Sequence, residues 1–177
     1  MNFIKYIILG ILQGLTEPIP VSSSGHIFLF KNLFNTELFN SLNFEVLANF
    51  GSFLAIFFIF RKDIIKLIKD FFLFIFKKDK NSKDGFMYVI KMIISTIPVL
   101  ITGLLFNKFF EEKFNSMYYL AIAFLITAIL LFIVKNINGN KKDITIKDAI
   151  IIGLFQAIAI IPGISRSGSV LVACLLC

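Results

Sequence analysis

Residues 13–26 read QGLTEPIPVSSSGH, and they set Gln13, Glu17, three consecutive serines and the chain's single histidine, His26, between apolar flanks. A proline removes a backbone donor and restricts the residue before it, so Glu17-Pro18-Ile19-Pro20 cannot continue a regular helix. The apolar runs on either side, Phe3 to Leu12 and Ile27 to Leu33, are each too short for a hydrocarbon core that takes about 20 helical residues. The unit therefore reads as a re-entrant helical hairpin with its tip at depth, where irregular backbone must be buried in protein or line a wet cavity. Polar groups at such a depth are costly unless paired, which makes this dense set a functional-site candidate. A surface turn would use the same Gly14, Pro18, Pro20 and Gly25.

A second copy decides between the two. With Gln13 placed over Gln156, Gly10 falls on Gly153, Ser22 on Ser165, Ser24 on Ser167 and Gly25 on Gly168, all at an offset of 143 residues. The copies differ where chemistry would differ. Glu17, Ser23 and His26 of the first face Ile160, Arg166 and Ser169 of the second, so acid and imidazole lie in one half and the guanidinium in the other.

Composition fixes the solvent. Of 177 residues 58% are hydrophobic and 23 are phenylalanine, with a mean hydropathy of +0.88. That is too apolar for a soluble domain of this size, and the expected class is an all-α integral membrane protein. The net charge of +7 does not point to nucleic acid, because the basic residues lie between apolar runs and read as topology signals. Cys174 and Cys177 lack nearby histidine or further cysteine, and read as apolar helix residues rather than a zinc or redox site. No small-residue cleavage site follows the N-terminal apolar run, which argues against a cleaved signal peptide.

Along the chain, Val46 to Phe60 is the first full span. Ile64 to Phe76, with Lys62, Lys66 and Lys69 on one face, reads as an interfacial helix. Lys77 to Gly85 is a solvated loop. Phe86 to Phe106 spans with a kink at Pro98, Asn107 to Ser116 is a polar loop, and Met117 to Val134 is the most uniformly apolar span. Lys135 to Asp148 is a basic loop, and Ala149 to Ile161 opens a second hairpin broken at Pro162-Gly163. Arg61 to Gly85 holds eight Lys and Arg and Lys135 to Asp148 holds four, which places both in the cytoplasm and the Glu111/Glu112 loop outside. Three crossings between the hairpins make the repeats inverted, with a binding site near the midplane where they meet. The chain is expected to form one membrane domain, residues 1–143 being the first repeat and 144–177 the start of a second, incomplete one. A full pair would need about 280 residues.

Two motifs carry a family resemblance: Gln13-GLT-Glu17 leading into PVSSSGH, and PGISRSGS at Pro162 to Ser169, with Phe44-Glu45-Val46 through Gly51-Ser52 between them. At these residues the chain resembles the undecaprenyl pyrophosphate phosphatases, the bacitracin-resistance type of integral membrane lipid phosphatase. The resemblance covers nearly the whole chain. It departs at Pro18, where an aromatic is usual, at Ser24, where threonine is usual, at Asn49, where glutamine is common, and in length, which suggests C-terminal truncation. It implies hydrolysis of undecaprenyl diphosphate to undecaprenyl phosphate and phosphate, recycling the cell-wall lipid carrier in the bacterial inner membrane. It also implies that Gln13 and Glu17 both matter and that a divalent metal supports activity.

Cleaving a phosphoanhydride needs a nucleophile or activated water, a proton acceptor and donor, and cationic or N–H groups for the phosphoryl oxygens. Arg166 is the natural clamp, set among Ser165, Ser167, Gly163 and Gly168 as phosphate-binding candidates. Glu17 suits a general base, or with Gln13 an oxygen ligand pair for Mg2+ or Ca2+. The nucleophile is Ser23 partnered by His26, or His26 with Ser22 and Ser23 binding phosphate; the residues leave both open, with Ser23 slightly favoured. The partners implied are a polyprenyl diphosphate and the bilayer, with a homodimer as a further option. The alternatives are a polyprenyl-phosphate transporter or flippase, since inverted repeats with hairpins are a transporter architecture, and an inactive truncated fragment.

Overall fold

The computed structural model describes residues 2–33, 42–114, 116–139 and 143–177. Every regular element among them is helical: α1 (Asn2–Thr16), α2 (Ser23–Leu33), α3 (Leu42–Ile59), α4 (Arg61–Lys77), α5 (Lys83–Lys113), α6 (Met117–Val134), α7 (Ile146–Ile158) and α8 (Arg166–Leu176), with a 3-10 turn at Lys80–Ser82. Two stretches, Lys80–Phe106 and Met117–Val134, are long and apolar enough to cross a membrane. Their outward surfaces are apolar, with Leu104 79% and Phe132 67% exposed, as hydrocarbon surroundings require and water would not favour.

Several boundaries differ from the sequence expectation. α3 starts four residues before the expected Val46, at Leu42, and its apolar part is Val46–Ile59. The expected loop from Lys77 to Gly85 is mostly ordered. Lys78 ends α4 in the left-handed region at φ 51°, Asp79 accepts from the Asn81 and Ser82 side of the turn, and α5 begins at Lys83. α5 then runs as one 31-residue helix through Pro98 and on to Lys113, absorbing most of the expected polar loop at 107–116. Asn, Lys and Glu are tolerable helix residues, and Lys113 in the last turn complements the helix dipole, so nothing in that segment forces a stop. Asn115 lies outside the described residues. Asp148, expected in a basic loop, is instead the buried third residue of α7: Thr145 Oγ1 accepts from its N–H, and its carboxylate accepts from Thr145 N at 2.6 Å.

α7 lies along α5 with the most extensive helix contact in the molecule. The approach is backbone to backbone: a methyl group at Gly153 would sit 2.6 Å from the Ser95 carbonyl oxygen and 2.8 Å from Pro98 Cγ. α4 packs on the other end of α5 through Phe71 and Phe74, which stack on Phe86 with centroids 5.4 and 4.6 Å apart. No α4 side chain is buried. The core proper is small, with Ala123 of α6 against Ala159, Ile161 and Ile164. It lies where α6 meets the break between α7 and α8.

Candidate active site

Both motif segments form helix–break–helix hairpins, and the breaks fall where the prolines predict. α1 ends at Thr16, residues 17–22 are irregular, and α2 starts at Ser23; α7 ends at Ile158, residues 159–165 are irregular, and α8 starts at Arg166. The two restarts are built alike. Ser22 Oγ accepts from Gly25 N at 3.3 Å and lies 3.5 Å from Ser24 Oγ. Ser165 Oγ accepts from Gly168 N at 3.1 Å and lies 3.2 Å from Ser167 Oγ. Each serine thus caps its helix, and each is buried. The correspondence extends one turn further: His26 Nδ1–H donates to the Ser22 carbonyl at 2.9 Å, and Ser169 Oγ–H donates to the Ser165 carbonyl at 2.9 Å. A carbonyl only accepts, so in neutral His26 the proton is on Nδ1 and Nε2 is left with the lone pair.

The first hairpin adds a carboxylate cluster. Glu17 Oε2 accepts from Ser23 Oγ at 2.5 Å and from Gln13 Nε2 at 2.7 Å, and Gln13 Nε2 also donates to Asn49 Oδ1 of α3 at 2.6 Å. One carboxylate oxygen is therefore held between a hydroxyl and an amide before any substrate arrives. Gln13 is 1% exposed, and its Oε1 has no hydrogen-bond partner among the described residues. Reversing the amide would point oxygen at Glu17 and Asn49 oxygens, so the orphaned Oε1 follows from the network. No group of three or more His, Cys, Asp or Glu converges among the described residues. The potential ligands are oxygens, of Glu17, Gln13, Ser23 and Asn49, which is hard-cation chemistry.

The second hairpin contributes Arg166, the first residue of α8. Its side chain is exposed and makes no hydrogen bond or ion pair with another described residue. Ser167 is exposed beside it, whereas Gly163 and Gly168 are buried. Gly163 adopts φ +95°, which an L side chain rarely accepts, and a methyl there would meet Ala123 Cβ at 2.8 Å.

The two tips are brought together. A methyl group on Gly168 would lie 3.3 Å from Pro20 Cβ, so the break of the first hairpin touches the start of α8. α6 braces both. Its Phe124 ring lies 5.2 Å from the His26 ring and abuts Gly25, its Leu120 and Ala123 abut Gly163, and its Thr127 Oγ1 accepts from Ser165 N at 3.2 Å. Positions 120, 123, 124 and 127 are one helical stripe. Asn49, Phe124 and Thr127 are the site neighbours that the sequence reading did not assign. Asn49 stood out only as a departure, and Thr127 could have been noticed as the single aliphatic hydroxyl in α6.

Comparison with known proteins places the sequence among named relatives. The chain is 46% identical over 181 residues to an undecaprenyl-diphosphatase of Oceanobacillus iheyensis, covering 99% of this chain and 65% of that protein. It is 44% identical over 175 residues to undecaprenyl-diphosphatase 2 of Bacillus thuringiensis, covering 98% and 64%, and 42% identical over 172 residues to undecaprenyl-diphosphatase 1 of Halalkalibacterium halodurans, covering 96% and 62%. The chain thus spans just under two thirds of the length of these curated relatives. Residues 6–177 match the family described as bacitracin resistance protein BacA, both signature segments included, and the chain belongs to that family.

Proposed function

We propose that the chain carries the phosphatase chemistry of an undecaprenyl-diphosphatase, a hydrolase releasing phosphate from undecaprenyl diphosphate and leaving the monophosphate. The observation that carries the proposal is the Ser23 hydroxyl hydrogen-bonded to Glu17, a nucleophile already paired with its base, at a tip in contact with the tip that holds Arg166. Ser23 Oγ attacks the terminal phosphorus as its proton passes to Glu17 Oε2. The bond to the bridging oxygen breaks, and that oxygen leaves on the lipid monophosphate with the proton from Glu17. Water then attacks the phosphoserine, gives its proton to the carboxylate and frees phosphate, and the carboxylate returns the proton to Ser23.

Arg166 neutralises the transferred oxygens with its forked guanidinium. His26, with Nε2 open, serves as a second proton carrier. Ser167 lies on the exposed side with Arg166, whereas the Ser22 and Ser165 hydroxyls are occupied as caps, so their share in phosphate binding falls to the backbone they hold. A divalent cation such as Mg2+ or Ca2+ would be held by Glu17 and the orphaned Gln13 Oε1 and would neutralise phosphoryl charge when bound.

The membrane setting belongs to the same proposal. α3 is 18 residues long, about 27 Å of helix, which supports a third crossing beside α5 and α6. The matched caps at an offset of 143 residues support a second repeat from residue 144, inverted against the first, with both hairpins re-entrant and the site near the midplane of a multi-pass protein of the bacterial inner membrane. The test is phosphate release from undecaprenyl diphosphate by purified protein in detergent. Turnover that is lost in Ser23→Ala but kept in Ser24→Ala is expected. Full turnover by Ser23→Ala would remove serine as the nucleophile.

A further inference from the structure

We infer that Thr127 is a positioning residue for Arg166, acting through the backbone of Ser165; the inference rests on the phosphatase reading for its consequence in turnover. Ser165 is 2% exposed, and its side chain and carbonyl are committed: Oγ caps Gly168, and the carbonyl accepts from Ser169 N and Oγ, both at 2.9 Å. Those bonds are local and fix α8 only relative to itself. The remaining group, Ser165 N–H, precedes the first helical turn and has no intrahelical acceptor. It donates to Thr127 Oγ1 across 38 residues, within an otherwise apolar contact between α6 and the second break.

Thr127 is 6% exposed and is the only aliphatic hydroxyl in Met117–Val134. A hydroxyl at that depth is useful only where it meets a polar partner. One residue beyond the pinned amide stands Arg166, with nothing else among the described residues holding its side chain. The position of the Arg166 backbone relative to the first tip is thus set at its N-terminal side by the Thr127 to Ser165 bond and the apolar contacts of Gly163, and beyond it by Gly168 against Pro20 and the packing of α8 on α6 and α7. Phe124, one turn back on the same stripe, does the corresponding work for Gly25 and His26. One face of α6 therefore touches both restarts, at Gly25 and His26 in the first and at Gly163 and Ser165 in the second.

The experiment compares Thr127→Val, which keeps the shape and removes the acceptor, with Thr127→Ser, which keeps the acceptor. Amide hydrogen exchange by mass spectrometry is followed in the full chain in detergent for peptides covering 159–168 and, as a control, 64–90. Thr127→Val is expected to speed exchange in 159–168 alone, and Thr127→Ser to leave it near wild type. In the phosphate-release assay, Thr127→Val is expected to lower kcat on the order of 100-fold with KM less affected, since a small misplacement of a clamp acts on the transition state, and Thr127→Ser to restore most of it. Unchanged exchange in Thr127→Val, or equal loss in the serine variant, would overturn the positioning role. A wild-type chain that releases no phosphate would instead count against the phosphatase reading, and the exchange result would still decide the pin.

Discussion

The two hairpins share one frame and put it to different uses. Both restart a helix at a buried capping serine with a glycine three residues on, and both send a side chain at the next position, His26 or Ser169, back to the capping carbonyl. They part company in where the backbone is forced. In the first, the left-handed residue is Ser22 itself at φ 63°; in the second, it is Gly163, two residues before the cap. They differ again in their surroundings. Gln13 is buried and bonded to Glu17 and Asn49, while its counterpart Gln156 lines a groove of about 330 Å3 with Lys91, Ser95 and Thr96. The lesson is that the shared residues make the turn, while the groups to which the proposed mechanism gives the chemistry are the unshared ones. Glu17, Ser23 and Arg166 are substitutions on a common scaffold.

That division can be broken most sharply at Arg166. Arg166→Ala is expected to lower turnover on the order of 1,000-fold, with Arg166→Lys recovering little, because an ammonium does not reproduce a fork of donors. Near-normal phosphate release by the lysine variant would sink the clamp. The first hairpin's counterpart is Glu17→Gln, for which a drop on the order of 100-fold is expected while the protein still accumulates in the membrane. Loss of the protein along with its activity would mark Glu17 as structural.

The scaffold positions should behave in the opposite way. Gly163→Ala forces a side chain into a left-handed conformation and against Ala123, so a stability loss of about 1–3 kcal/mol is expected, read as a lower thermal midpoint in detergent. The smallest effect should come from the caps. Ser22→Ala and Ser165→Ala are each expected to cost about 1 kcal/mol, nearly equal despite their different neighbours. If Ser165→Ala reduced turnover far beyond its effect on the midpoint, its hydroxyl would belong to substrate binding and the shared frame would not be purely structural.

How much of this was legible before the fold was known follows the same line. Proline pairs, glycines and serines announce their conformations locally, so the breaks at 17–22 and 159–165 and the repeat offset could be read from the chain. The partners of Thr127 and Asn49 could not. Their roles arise from helices arriving across 38 and 36 residues, and nothing in their immediate neighbours reports that meeting. α5 outruns its sequence expectation for another reason. Bilayer thickness gives the length a helix needs, not the length at which it stops, and Asn107 to Lys113 carries no breaker.

The bonding at the tips also bears on how such a chain assembles. The hydrogen bonds that shape each restart, Gly25 to Ser22, His26 to Ser22, Gly168 to Ser165 and Ser169 to Ser165, close loops of three or four residues. Loops that short close with little entropy loss, and each tip can form as its own segment leaves the ribosome. The bonds from Gln13 to Asn49 and from Ser165 to Thr127 must wait for a second helix. Of these, Thr127 is made before Ser165, so the brace on α6 is in place when the second hairpin emerges and the docking surface precedes its guest. Synthesis from the N-terminus thus reduces the docking of the second hairpin to seating a finished turn on a standing helix.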